Sequence, residues 1–403
     1  VGVGDRRGRA GRRPVVKSIL WVINGAEVFG EKRAVVSLVA GVRAAGWEAQ
    51  VISLQEGECA HELREAGVPT TCLGLGDSPG MHLARSRIGK VWELVKLQVH
   101  QRKIRRRIRQ EVRVRAPAAV HVLDKNILPA VGWATRKERV PCFWELTAVL
   151  GGHYPFNLNQ RLHQWLVRRF DLHPLANSRH TAHTLGDARR PAEVMYLGVD
   201  ERRFDPARRF SVTREGLGIP SDAPVFAIIA RVDGSKGQAT FLEALATAGG
   251  GEEHLLLVGA QKGAEEVGRI AERARVLGMS SRVHLVPQTS EPEGYMALSD
   301  VVVNAYPGAE AFGLSVVEGM MMGRPLLVHA LGGPAETVVD GESGWHVGRA
   351  TVEAFAAGIR RALADRPRWK EMGAAARRRA LERFTLRTQA RWYLDQVEKS
   401  IRG

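Results

Sequence analysis

Short apolar runs alternate with amphipathic stretches along nearly the whole chain, in two successive series. The first series places apolar runs at 18–23, 50–54, 68–73, 118–123, 141–146, 173–178 and 193–197. Helical patterns fill the intervals at 32–45, 85–115, between the fourth and fifth runs, at 159–170 and at 179–185. The second series has runs at 225–232, 254–259, 283–286, 301–305, 326–330 and 345–347, with helices starting near Gln238, Glu265, Tyr295, Leu314 and Pro334. Strands alternating with helices imply a parallel sheet covered on both faces. The expected class is α/β, with two Rossmann-like doubly wound domains that bind ligands in a cleft at the carboxyl ends of their strands.

A chain of 403 residues is long enough for two domains, because single cores rarely grow beyond roughly 250–300 residues. Asp205-Pro206, Gly216, Gly218 and Pro220 mark 199–224 as the boundary. The expected division is a disordered tail at 1–14, a first domain at 15–200, a second at 201–385, and a last helix at 386–403 packing back on the first. From 352 to 402 the pattern is helical throughout, with a break at Arg366-Pro367. The Gly/Arg-rich tail has no apolar core of a secretory signal, and the longest apolar runs are too short for a bilayer. Cys59, Cys72 and Cys142 are odd in number and lack zinc-ligand spacing, which suits a reducing compartment. A cytoplasmic location is expected.

The formal net charge is +16, compatible with nucleic acid, anionic lipid or phosphorylated small molecules. The charge concentrates in the helical pattern at 85–115, where Leu94, Leu97, Ile104, Ile108 and Val112 recur on one face. Arg102, Lys103, Arg105, Arg106, Arg107 and Arg109 make up the rest. A solvated helix face is the ordinary meaning of such a run. A contact with an anionic membrane surface, peripheral on its inner side, is the functional one. No aromatic interleaving, zinc spacing or RNA-binding signature accompanies the charge, so nucleic acid is not expected.

Three segments carry chemistry. The first, Glu310-Ala311-Phe312-Gly313-Leu314-Ser315-Val316-Val317-Glu318, follows a buried strand and opens a helix. Free backbone N–H groups and the positive dipole end lie there beside two acids, a place for a ligand with both phosphates and hydroxyls. Ser315 and Glu318 also have the spacing of a capping box, in which Glu318 only satisfies its own helix. In the second segment, Arg231 ends a strand and Lys236-Gly237 opens the next helix, so two cations can neutralise a diphosphate. In the third, Asn24-Gly25-Ala26-Glu27 follows the first strand, and Gly25 permits close backbone approach. This is not a G-x-G-x-x-G dinucleotide fingerprint.

In order and spacing these segments resemble the retaining glycosyltransferases of the GT-B fold, the family 4-like or group 1 enzymes with two glutamates separated by seven residues. The resemblance also rests on Ala176-Asn177-Ser178, Tyr196-Leu197-Gly198-Val199-Asp200 with Arg203-Phe204, and Gly319 with Gly323-Arg324-Pro325. Gly332-Gly333-Pro334-Ala335-Glu336 completes it. It implies transfer of a sugar from a nucleotide-diphosphate donor, UDP ahead of GDP, to an acceptor hydroxyl with retention of configuration. No metal or other cofactor is implied. Arg231 and Lys236 would grip the diphosphate, capped by the amides of Phe312, Gly313 and Leu314. Glu310 would hold the donor sugar and Glu318 the ribose. Gly25 would approach from the opposite lobe, and Val286 lies where the base is read, followed by Pro287 where a Gly is common.

A His often found after the fifth strand of the first domain is replaced here by Trp144; His153 and Glu145 are the candidates to act in its neighbourhood. The acceptor expected is a glycan, a lipid-linked sugar or a small molecule, in envelope polysaccharide or glycolipid synthesis or in natural-product glycosylation. A sugar-nucleotide epimerase or glycan phosphorylase would share the same architecture.

Overall fold

The computed structural model describes residues 17–27, 29–76, 87–150, 157–187, 190–248, 250–261 and 263–402, with backbone only at 29 and 87–95. The tail at 1–14 and His153 lie outside the described residues.

The first lobe is a parallel seven-stranded sheet. Its strands are β1 (Ser18–Ile23), β2 (Glu48–Ser53), β3 (Thr70–Cys72), β4 (Ala119–Val122), β5 (Cys142–Leu146), β6 (His173–Ala176) and β7 (Glu193–Val194). They lie in the order β3-β2-β1-β4-β5-β6-β7. The helices are α1 (Phe29–Ala44), α2 (Glu58–Glu65), α3 (Arg87–Arg115), α4 (Leu128–Glu138), α5 (Leu158–Phe170) and α6 (Arg179–Leu185). Strand periodicity splits β1 between two cores. Ile19, Trp21 and Ile23 pack with Val35, Leu38 and Val39 of α1. Leu20 and Val22 turn the other way, onto Ile104 and Ile108 of α3, Val131 of α4 and Leu166 of α5. Burying each such side chain contributes about 1.5–3 kcal/mol.

The second lobe repeats the plan with six parallel strands, β8 (Val225–Ile229), β9 (His254–Ala260), β10 (Val283–Pro287), β11 (Val301–Asn304), β12 (Leu326–His329) and β13 (Gly344–Val347). Their order is β10-β9-β8-β11-β12-β13. Its helices are α7 (Gln238–Ala248), α8 (Glu265–Val276), α9 (Pro292–Leu298), α10 (Leu314–Met321), α11 (Pro334–Thr337), α12 (Val352–Ala364) and α13 (Trp369–Arg383), and α14 (Leu386–Arg402) follows them. Phe226, Phe241, Leu257, Trp345 and Phe355 fill one face. Val302, Val316, Val317, Met320 and Phe384 fill the other.

In each lobe β1 or β8 is central, and the strand order reverses beside it. That reversal opens the crevice in which doubly wound sheets take ligands. The last helix crosses between lobes. Ala390, Tyr393, Leu394 and Val397 of α14 complete the core under Trp21 and Phe143 of the first sheet.

Some elements differ from expectation. The apolar run at 193–197 pairs as a strand only at Glu193–Val194. Leu197 and Val199 instead enter a cluster with Phe204 and Phe384, and Val199 bridges to Thr385. Their apolar character serves the crossover. The C-terminal helical stretch has the break at Arg366–Arg368, a single 3-10 turn. It also breaks after Arg383, where buried Phe384 leaves the helix. Helix α2 has no counterpart in the sequence reading.

Candidate active site

The loop before α10 is built by two glycines. Gly332 has φ +88°, and a Cβ there would stand 2.1 Å from the Glu310 carbonyl. Only glycine lets the two segments pair, through Glu310 N–H to Leu331 O at 3.2 Å and Gly333 N–H to Glu310 O at 2.8 Å. Gly313 stands at the N-cap with φ +84° and no side-chain cap. The first helical bonds run from Val316 and Val317 to Gly313 O. The amides of Phe312, Gly313 and Leu314 therefore lie ahead of the ladder, at the positive end of the helix. The Phe312 ring is core, packed on Tyr196 and Phe384.

Glu318 forms no capping box. Ser315 lies inside the helix, and the Glu318 carboxylate pairs through Oε1 with Nη1 of Arg33 on α1 of the other lobe. Glu318 is 2% exposed, and its Oε2 is buried without a hydrogen-bond partner. Burial pushes its carboxyl above the ordinary range, and Arg33 and then Arg203 oppose that.

Lys236 Nζ lies 3.5 Å from Glu310 Oε2 and 4.4 Å from the centre of the Tyr306 ring. Arg231, at the end of β8, meets Asp233 at 3.4 Å. A cavity of about 630 Å³ lies between the lobes, lined by Arg33, Arg203, Arg231, Gly259, Gln288 and Ser290 among others. Its volume falls in the range of small-ligand sites. Val286 does not line it. The residue is 5% exposed and packs with Val225 and Leu256. A register irregularity after Val286 lets the following residues, Gln288 to Ser290, line the cavity.

Gly25 is required locally. With φ +105°, its absent Cβ would fall 2.1 Å from both Gln55 O and Ser53 Oγ. The turn is held by Glu27, whose carboxylate accepts from the amides of Asn24 at 2.7 Å and Gly25 at 2.8 Å. Beside it lies a first-lobe cavity of about 440 Å³ lined by Glu27, Glu31, Asp124, Lys125, Trp144 and Thr147 among others. Burial, first of all, pushes the carboxyls of Glu27, Glu31 and Asp124 upward.

Glu145, a sequence candidate, and its neighbour Trp144 border that cavity from β5 and turn to opposite faces of the sheet. Glu145 is 1% exposed and meets His121 Nε2 at 3.0 Å, while His121 Nδ1 meets Tyr393 Oη at 3.2 Å. Its carboxylate thus belongs to the packing of α14 on the first sheet. Trp144 turns to the opposite face and stacks on His163 at 5.0 Å. The basic run also divides. Arg105 and Arg109 lie over the Trp133 ring, and Arg109 pairs with Glu138 at 2.5 Å. Arg102, Lys103, Arg106 and Arg107 are exposed.

Sequence reasoning missed the partners that join the lobes. Besides Arg33, Glu336 reaches across to accept from the amides of Arg179 at 2.9 Å and His180 at 2.8 Å, and from Tyr196 Oη at 3.1 Å. These amides open α6, whose N-cap Ser178 accepts from Thr181 N–H.

Two family models match the chain. Residues 29–213 match the glycosyl transferase 4-like domain and residues 210–379 the glycosyl transferases group 1. The chain belongs to the group 1 glycosyltransferases. Among solved structures, this group 1 chain is similar to a glycosyltransferase of Rickettsia africae at TM-score 0.80 and 19% identity, covering 96% of this chain and 100% of that one. It is also similar to Anabaena HepE in complex with UDP, at TM-score 0.78 and 21% identity, covering 95% and 100%. Both are GT-B likenesses of fold.

Among curated relatives, the alpha-1,3/1,6-mannosyltransferase ALG2 of Dictyostelium discoideum is 28% identical over 161 residues, 38% of each chain. The D-inositol 3-phosphate glycosyltransferase of Mycolicibacterium smegmatis is 32% identical over 157 residues, 38% of this chain and 35% of that protein. The matched stretch thus spans under two fifths of the length of either relative.

Proposed function

We propose that this group 1 glycosyltransferase moves a sugar from a nucleotide-diphosphate donor, UDP ahead of GDP, to an acceptor hydroxyl with retention of anomeric configuration. We read 15–200 as the acceptor-side domain, 201–385 as the donor-side domain and 386–403 as the helix that returns to the first. The observation that carries the reading is the grouping at the start of α10. Lys236 lies 3.5 Å from Glu310, and the unpaired Glu318 Oε2 is a few residues further along the same helix.

The donor diphosphate lies between Arg231, Lys236 and the amides of Phe312, Gly313 and Leu314. Fixed cations and a helix dipole there stabilise the charge that grows as the glycosidic bond breaks, without reorganising at the moment of reaction. Releasing the diphosphate leaves Lys236 free to return to Glu310. Glu310 orients the donor sugar hydroxyls. Glu318 Oε2 accepts from a ribose hydroxyl, filling the position that is buried and unpaired. With the cationic side chains supplying the positive charge, turnover is expected to be insensitive to EDTA.

The acceptor enters from the first lobe. Glu27, Glu31 and Asp124 outnumber Lys125 in its cavity, which suits hydroxyl donors of a sugar or polyol. Closure of the lobes excludes water and limits donor hydrolysis. A cytoplasmic enzyme of envelope polysaccharide or glycolipid synthesis, held peripherally at an anionic membrane by the exposed arginines of α3, fits this arrangement.

Proton NMR of UDP-glucose and UDP-galactose with simple sugar acceptors tests it. The reading expects a product whose anomeric coupling matches the donor. An inverted product overturns the retaining mechanism.

A further inference from the structure

Helix α5 presents an apolar strip to solvent. Leu158, Leu162 and Trp165 are 55%, 51% and 48% exposed, at the spacing of one helix flank. Its inner face is conventional, with His163, Leu166, Val167 and Phe170 buried. Exposed leucines scattered singly need no explanation, but three large residues in one line do.

The flank they occupy is fixed by their neighbours. Gln160 and Gln164 bond the carbonyls of Thr184 and Leu185, which sets that side of α5 against α6. The strip lies on the other side, toward α4, where Phe170 packs against Gly132. Helix α4 packs in turn on α3. The three helices cover the same face of the first sheet, so the strip and the exposed face of α3 belong to one surface.

That surface is basic. Arg161, Arg168 and Arg169 are exposed along α5, and the helix contains no acid. Arg168 and Arg169 stand in its last turn, where cations commonly offset the dipole; Arg161 is a full two turns earlier. Arg102, Lys103, Arg106 and Arg107 continue the charge on α3. Among the described residues, Arg161, Arg168 and these four form no ion pair. Between α3 and α4 lies a cavity of about 480 Å³ lined by Arg106, Arg109, Gln110, Arg113, Val114 and Trp133.

We infer that the α3–α4–α5 face docks on an anionic lipid surface, with Leu158, Leu162 and Trp165 entering the acyl boundary and the arginines meeting headgroup phosphates. A Trp at the end of an apolar strip, rimmed by arginines, suits the interface between headgroups and chains. Basic side chains alone give weak, salt-sensitive attachment, and the apolar strip supplies the second element that holds it. The inference extends the membrane-side part of the proposed function, and it stands on a helix that part did not use.

The test is flotation of the full chain with vesicles of phosphatidylglycerol and phosphatidylcholine, or of phosphatidylcholine alone. The comparison is with Leu158→Ser/Leu162→Ser/Trp165→Ser and, separately, Arg161→Gln/Arg168→Gln. Binding to the anionic vesicles is expected, with the triple variant partitioning about tenfold or more weaker. Removing only Trp165 as Trp165→Phe, an apolar ring, should preserve most of the binding. Depth-dependent quenching by brominated lipids should fall in that variant. Circular dichroism and UDP titration should match wild type in every variant, because none of these residues is placed in the donor cleft.

Undiminished vesicle binding by the triple variant overturns the inference, as does equal binding to neutral vesicles by wild type. Absence of vesicle binding together with a dimer that the triple variant dissociates overturns it in favour of a second copy. If vesicle binding fails while UDP still binds, this inference falls and the transferase reading stands. If UDP fails while vesicles bind, the reverse holds.

Discussion

Replacing Arg33 by alanine isolates the charge pair that spans the cleft. Glu318 is 2% exposed, whereas Arg33 keeps 36% of its side chain in solvent. At an effective dielectric near 20, two unit charges in contact attract by roughly 4 kcal/mol. Solvent screening of the exposed partner lowers this to about 2 kcal/mol. On a lobe of about 200 residues, that loss lowers the thermal midpoint by roughly 5 °C. The pH dependence has a definite sign. Burial raises the Glu318 carboxyl above its ordinary value of 4.5, so the folded protein holds that proton more tightly than the unfolded chain does. The cost of ionising it is absent below the ordinary value, grows as pH rises through the folded pKa, and stays constant above. Removing Arg33 takes away an opposing cation and enlarges that cost. The deficit of Arg33→Ala should be small near pH 4.5, the ordinary carboxyl value, and larger near pH 8. Adding Glu318→Gln should abolish it. Scanning calorimetry of the four proteins of this double-mutant cycle, at both pH values, provides the assay. A deficit equal at the two pH values, or one that survives Glu318→Gln, refutes the pairing.

Glu336→Ala leaves the Arg179 and His180 amides without their acceptor. It should cost about 2 kcal/mol, read as a lower midpoint and a more open envelope in small-angle scattering. Gly332→Ala drives a Cβ into the Glu310 carbonyl and should destabilise by about 2–4 kcal/mol. Gly268→Ala, in helix α8 with open space around its Cβ, should instead stabilise by about 0.5–1 kcal/mol. Denaturant melts of the two variants compare them directly. Burial first, and Arg190 second, hold the His173 imidazole down at about 4. A depressed histidine gives stability that is present above the unfolded value of 6.5 and is lost as pH falls toward about 4. His173→Leu should flatten that part of the stability profile.

The two sheets were legible because their central strands are buried on both faces and read as unbroken apolar runs. Helix α6 was legible for a different reason: Ser178 is a cap whose role is local. The cationic pair and the two glutamates of the cleft were visible because strand ends and helix starts are written in short sequence. What joins the lobes was not. Arg33 and Glu318 are 285 positions apart, and neither segment carries a sign of the other. The S-x-x-E spacing suggested a capping box because spacing cannot tell whether Ser315 stands before the helix or inside it. Gly313, with its positive φ, decides that. Val286 sits on the expected strand, yet one pleat of a strand decides whether a side chain meets a cavity or the core. Glu31 and Asp124 escaped notice because a single acid in a turn is unremarkable until folding places it on a cavity wall.

The measurement that bears most directly on the cleft as a nucleotide-sugar site is calorimetric titration with UDP, GDP and ADP. It should be made on wild type, Lys236→Ala and Glu318→Gln. The account predicts selective binding of UDP, weakened about tenfold or more by each substitution, since each removes a charged hydrogen bond to the ligand. Binding of no nucleotide, or UDP binding untouched by both substitutions, would contradict it.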